Sequence, residues 1–181
     1  AKDFVEVKSP ATYALVPDDF MGMKPKVVVK EGDSVKVGDA LFVDKNHPEV
    51  KFVSPVSGNV ILVERGERRK VLSVRVEADA EQRFVDFGKK NVSAMTGDEV
   101  KSLLLESGLF AFFKQRPYDV TANPTDTPKA IFVSAFNSMP LSADFEFVLK
   151  GRETEFQTGL DALSKIAKTH LGVHINQKSE A

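Results

Sequence analysis

The 181-residue sequence contains no cysteine. Disulfides, thiolate ligation of zinc or an iron–sulfur cluster, and thiol catalysis are therefore excluded within these residues. Long apolar runs are also missing. "KAIFVSAF" and "SLLLESGLFAFF" fall well short of the roughly 20 residues that a membrane-spanning helix needs. No basic, apolar and small-residue succession at the N-terminus reads as an export signal, so the expectation is a soluble or peripheral protein. Nor does charge of one sign prevail, because 25 Lys and Arg face 26 Asp and Glu for a formal net charge of −1. That balance gives no broad attraction to nucleic acid or to an anionic membrane. No nucleic-acid partner is expected, and any partner must be recognised locally.

The glycine fingerprints of nucleotide and hydrolase sites are absent too. No G-x-G-x-x-G, G-K-[ST] or G-x-S-x-G follows a strand-like run, and "FGKKN" holds Gly88-Lys89 without the loop that should precede it. Asp18 and Asp19 are adjacent, so in a strand their carboxylates point to opposite sides and make no catalytic pair.

What is present is an ordinary globular composition, 42% hydrophobic and 28% charged. From Lys26 to Val76 short β-runs alternate with Gly-Asp and Ser-Gly turns. The near-repeat "EGD…VGD" places Gly32 and Gly38 where a turn needs positive φ, beside Val29, Val35 and Leu41. "KFVSPVSGNVILVERGERRKVLSVRV" repeats the logic, with turns expected at Ser57-Gly58 and Arg65-Gly66 and alternation through Val71, Ser73, Val74 and Val76. Two similar β-halves joined near Lys45 predict a small sandwich with quasi-twofold symmetry.

Beyond Val76 the sequence changes character. Thr96 and Glu99 form a capping box ahead of a helix whose Val100, Leu103 and Leu104 share a face, with Gly108 as its stop. An aromatic cluster runs to Pro117, and "VTANPTDTP" reads as a polar connector. A strand over Ala130–Phe136, a short apolar run at Phe145–Leu149, a helix from about Glu153 and a strand at "HLGVHI" make the opening of an α/β domain. Phe156, Leu160, Leu163 and Ala167 recur at helical spacing and would cover a sheet. Such an opening cannot cover both faces of a parallel sheet, so the native chain is expected to be longer.

Four features carry candidate chemistry. "LFVDKNHPEVKFVSPVSGNV" presents Lys45 after Asp44, as lipoyl and biotinyl carrier domains present their modified lysine. A carrier lysine needs a short, exposed hairpin tip. Here Lys45 stands thirteen residues before Gly58, and "NHPEV" puts Pro48 into the added length, so the tip is rebuilt and Asp44 and Lys45 are expected to be solvated or to touch a partner. His170 and His174 are four apart and could share a face of a helix or strand, but no third ligand is evident and no metal site is expected. His47, within the same tip, has no evident acid–base partner. Phe110, Phe112 and Phe113 with Arg116 and Tyr118 could form a flat apolar pocket with a cationic rim, suited to a quinone or a partner surface. The alternative is that these rings are core between the sandwich and the α/β domain.

Five separated blocks, "LFVDKNHPEVKFVSPVSGNV", "RGERRKVLSV", "ESGLFAFFKQRPYD", "AIFVSAFNSMPLSADFE" and "FQTGLDALSKI", together resemble the NqrA family, a component of the Na⁺-translocating NADH:quinone oxidoreductase. The resemblance implies an α+β chain. Residues 1–90 would form a barrel-sandwich hybrid of lipoyl/biotinyl carrier type, 91–125 a helical and aromatic connector, and 126–181 the beginning of a Rossmann-like α/β domain. It further implies a peripheral subunit on the cytoplasmic face of the bacterial inner membrane, docked on membrane subunits and linked to quinone. The complex uses NADH, flavins, iron centres and quinone to export sodium, while this chain holds no redox cofactor and catalyses nothing alone. More distant cousins place a flavin-cradling glycine loop near "ESGLFAFFKQRP". Bulky rings replace those glycines here, and backbone N–H groups approach a phosphate only where side chains are absent. The competing expectations are a carrier domain modified at Lys45 and a flavin- or NADH-binding electron-input subunit.

Overall fold

The computed structural model describes residues 3–175 and 177. The chain divides into two compact units, a β unit of 8–88 with 102–126 and an α/β unit of 1–7, 89–101 and 127–181.

In the β unit the strands are β1 (Thr12–Leu15), β2 (Pro25–Val27), β3 (Ser34–Val35), β4 (Ala40–Asp44), β5 (Lys51–Val53), β6 (Gly58–Arg65) and β7 (Val71–Ala78). They pair antiparallel into one sheet ordered β1-β7-β6-β3 and a second ordered β2-β4-β5. The central strand β4 is a continuous apolar run because both of its faces are covered: Leu41 and Phe42 point to opposite sides, yet neither is exposed. Phe42 stacks on Phe52 at 5.0 Å between ring centroids, and Phe20 meets Phe52 edge-on at 4.6 Å. With Val35, Val60, Val74 and Val76 these rings form the core.

The glycine near-repeat builds the same turn twice. Asp33 N–H donates to Lys30 O, and Asp39 N–H to Lys36 O, each at 3.1 Å. In return each aspartate Oδ2 accepts the lysine N–H at 2.7 Å. Gly32 and Gly38 sit at the third position with φ of 91° and 97°, the type II arrangement that demands glycine there.

The other two expected turns are corrected. Gly58 opens strand β6, opposite Ala78, and is needed for close approach to β7 rather than for a bend. The β6–β7 hairpin does turn after Arg65, but Gly66 has a negative φ and the left-handed positions belong to Arg68 and Arg69.

Helix α1 (Gly97–Glu106) follows. Its capping box forms as expected: Glu99 N–H donates to Thr96 Oγ1 at 3.3 Å, and Thr96 N–H to Glu99 Oε2 at 2.7 Å. The Thr96 backbone N–H, then its hydroxyl, hold the Glu99 carboxyl below its ordinary pKa. A lowered folded-state pKa means that this support is present above the ordinary carboxylate value and is lost as pH falls through the lowered one. A 3₁₀ turn, Leu109–Phe112, follows Gly108 at φ 76°. The expected connector is partly a hairpin, since β8 (Lys114–Gln115) pairs with β9 (Val120–Thr121).

In the α/β unit β10 (Ile131–Ser134) leads through α2 (Phe145–Leu149) and α3 (Glu153–Ile166) to β11 (Thr169–Gly172). The two strands run parallel, Phe132 beside His170, which makes the βαβ unit that the sequence pattern predicts. Asp144 caps α2 by accepting from Phe147 N–H at 2.9 Å.

Candidate partner-docking surface

Lys45 lies just past the end of β4. Its backbone N–H donates to Lys24 O at 2.7 Å, while Asp44 N–H donates to Val50 O at 3.1 Å and Val50 N–H to His47 O at 2.9 Å. The side chain is exposed, but the residue is tied to the end of the sheet and the tip beyond it is a structured loop. Asp44, expected to be solvated, is instead buried. Its Oδ1 accepts from the backbone N–H groups of Lys24 at 3.2 Å and Asn46 at 3.0 Å, and a buried carboxylate is retained where such donors satisfy it. His47 does have a neighbour, its Nδ1 standing 3.7 Å from Glu49 Oε1. Intact mass after co-expression with lipoyl and biotinyl ligases is expected to show the unmodified chain. An increment of either cofactor's size on Lys45 would reinstate the carrier reading.

The aromatic cluster is sorted by the geometry of one short turn. In a 3₁₀ helix residues three apart eclipse one another, so the segment after Gly108 has two ridges. Phe110 and Phe113 form the inward ridge. They stack at 5.6 Å, Phe110 is only 7% exposed, and both join the β-unit core. Leu109 and Phe112 form the outward ridge, 53% and 68% exposed. Phe112 meets Phe20 at 6.2 Å between ring centroids with the rings steeply inclined. Gly108 permits this placement, because an added Cβ would lie 2.5 Å from Val53 Cγ1.

The β8–β9 hairpin carries the other two candidates. Tyr118 and the Arg116 side chain are each 79% exposed, and Arg116 Nη1 lies 3.7 Å from Asp119 Oδ1, a loose contact open to solvent. Thr121 N–H donates to Met21 O at 2.8 Å, which ties the hairpin to exposed Met21, the neighbour of Phe20. Of the five predicted residues, Phe112, Arg116 and Tyr118 therefore face solvent, whereas Phe110 and Phe113 stabilise the fold beneath them. Leu109 and Met21 were not legible as surface residues from composition. The three-residue spacing of Leu109 from Phe112 after a glycine stop was the available signal.

The two C-terminal histidines do not share a strand. His170 lies in β11 with its ring 5.1 Å from that of Phe132, whereas His174 lies past the strand end, 6.2 Å from Phe136. Among the described residues no group of three or more His, Cys, Asp or Glu could hold a metal ion. An open polar groove of about 700 Å³ in the α/β unit is lined by residues that include Lys90, Ser93, Asp161 and Lys165. Lys165 Nζ donates to Ser93 O at 3.3 Å, and the hydroxyls of Thr158 and Ser164 donate to helix carbonyls of α3, so these donors are already engaged within the fold. Among the described residues no helix is long and apolar enough to cross a membrane.

Comparison with known proteins matches residues 1–79 to the NqrA N-terminal barrel-sandwich hybrid domain and residues 95–181 to the NqrA second alpha/beta domain. Relatives named as the A component of Na(+)-translocating NADH-quinone reductase are similar along most of the chain. That of Actinobacillus pleuropneumoniae serotype 5b (strain L20) is 36% identical over 170 residues, 93% of this chain and 38% of the relative. That of Serratia proteamaculans (strain 568) is 36% identical over 178 residues, 93% of this chain and 40% of the relative. That of Pseudomonas aeruginosa (strain UCBPP-PA14) is 35% identical over 162 residues, 88% of this chain and 36% of the relative. The chain thus spans well under half the length of the curated relatives it matches.

Proposed function

The chain belongs to the NqrA family, and from that premise we propose that it serves as part of the NqrA component in a sodium-translocating NADH:quinone reductase, docking on the other subunits through its outward ridge. In this reading the chain is peripheral, sits on the cytoplasmic face of the membrane beside membrane subunits, and holds no redox cofactor. NADH oxidation, quinone reduction and sodium export belong to the assembled complex.

The observation that carries the docking role is the exposure of Leu109 and Phe112, with Tyr118 and Arg116 on the hairpin of the same unit. Aromatic residues and arginine are the residue types that dominate binding energy at protein interfaces, where they supply large apolar area and a planar charged group. Quinone contact at this ridge is the second reading, supported by the flat face of Phe112 and the Arg116 guanidinium. A macromolecular partner fits better. Small-ligand sites bury about 70–90% of their ligand, and the ridge projects outward rather than lining a cleft.

The test is copurification. A tagged chain expressed with the remaining subunits should retain them through washing; elution of the tagged chain alone would remove the docking role.

A further inference from the structure

The hairpin joining β6 to β7 turns on two residues that its shape disfavours. Gly66 N–H donates to Lys70 O at 2.8 Å and Lys70 N–H to Glu67 O at 3.1 Å, so Glu67 to Lys70 close a turn with Arg68 and Arg69 at its centre. Both central residues are left-handed, with φ of 53° and 61°. Hairpin turns with two positive φ values normally take Asn-Gly, because a side chain in that region crowds the backbone. Backbone strain of this kind persists where the surroundings impose it or a function uses it.

Two arginines bring charge to this position. They stand at the end of two eight-residue strands, and Arg65, Glu67, Arg68, Arg69 and Lys70 are all exposed. The neighbouring charges are largely spoken for. Lys70 Nζ pairs with Asp18 at 2.6 Å, and Glu64 Oε2 accepts from Arg75 Nη2 and Ser73 Oγ, each at 2.8 Å. Arg65 Nη1 donates to Arg69 O at 3.3 Å. Among the described residues neither Arg68 nor Arg69 enters an ion pair. Within the turn itself, Glu67 is the one carboxylate set beside the three exposed arginines Arg65, Arg68 and Arg69.

We infer that the Arg65–Arg68–Arg69 tip is a contact for the phosphate headgroups of an anionic phospholipid surface. The guanidinium fork matches phosphate oxygens in pairs and sheds water more readily than an ammonium. Screening confines exposed charges to about 10 Å, so a local cluster acts even on a chain whose net charge is −1. A protein face is the poorer fit, because interface centres are built on apolar anchors, and Glu64 to Lys70 reads "ERGERRK", charged throughout except for Gly66. The preference for a bilayer also rests on the proposed place of the chain in a sodium-translocating complex, since translocation takes place across one.

The test is flotation of the 181-residue chain with vesicles of phosphatidylcholine alone or mixed with phosphatidylglycerol, using wild type and the Arg68→Asn/Arg69→Gly double variant. The wild type should float with the mixed vesicles only and be released by salt. The variant should bind about twenty-five-fold more weakly, two cations at about five-fold each, while melting at or above the wild-type temperature because Asn-Gly suits the turn. Equal binding by both chains, or no preference for the anionic vesicles, overturns the proposal. So does a variant that loses copurification with the other subunits while wild-type vesicle binding stays at background, which would make the tip a protein contact. Failure of the docking role is read separately, as vesicle binding that persists in a chain that copurifies with nothing.

Discussion

Replacing Gly58 with alanine should leave the β unit unable to close. An added Cβ would lie 1.8 Å from Glu77 O, 2.8 Å from the carbonyl carbon and 3.1 Å from Ala78 Cα. These are backbone atoms of β7, the partner with which β6 pairs along its length, so no side chain can swing aside. The strand cannot slide away either. Next to Gly58, the fully buried Ser57 is held on every side: its Oγ donates to Asp79 Oδ2 at 3.1 Å and accepts from Arg83 N–H at 2.9 Å. Its N–H donates to Gln82 Oε1 at 2.8 Å and its carbonyl accepts from Asp79 N–H at 2.8 Å. The expected loss exceeds about 4 kcal/mol, in the range where a single substitution abolishes a fold of ordinary stability. Gly32→Ala is the internal control. It adds a Cβ that meets nothing within 4 Å, at φ 91°, so only the left-handed cost of about 1–2 kcal/mol remains. Chemical denaturation of both variants checks this, and equal losses would contradict the close-approach argument.

Phe52→Ala should be the most damaging truncation in the core. The ring is 1% exposed and contacts Phe42 face-on and Phe20 edge-on. Removing it leaves a cavity lined by the Phe42 and Phe20 rings, so about 3–5 kcal/mol is expected. Phe112→Ala deletes the same atoms where they are 68% exposed and should cost only about 1 kcal/mol, the Phe20 contact included. The contrast in denaturation midpoints separates core aromatics from surface aromatics within one connected set of rings.

Much of this architecture was legible because it rests on local chemistry. The two turns at Gly32-Asp33 and Gly38-Asp39 need glycine at one position and a carboxylate at the next, and both requirements are visible in the letters. The same holds for the Thr96–Glu99 box, whose two side chains answer each other three residues apart. The βαβ pattern followed from helical spacing in α3 between two apolar runs. What was not legible depends on who the neighbour is. Gly58 looked like a turn glycine because sequence does not show that Glu77 O will lie beside it. Asp44 looked solvated because its donors, the N–H groups of Lys24 and Asn46, come partly from a distant part of the chain. Among the candidate site residues, Phe110, Phe112 and Phe113 are chemically identical, and only the 3₁₀ phase after Gly108 decides which face inward. Arg68 and Arg69 read as ordinary surface charge until their φ values place them at a turn that would suit Asn-Gly better.

Docking of this chain through its outward ridge can be read from a single comparison. A Leu109→Asp/Phe112→Asp chain, tagged and expressed with the other subunits, is set beside wild type, with the melting temperature of each measured in parallel. The variant should melt within a few degrees of wild type, because both side chains are more than half exposed, yet retain the other subunits at least ten-fold more weakly, a loss of about 1.4 kcal/mol or more. Undiminished copurification with an intact fold would contradict it.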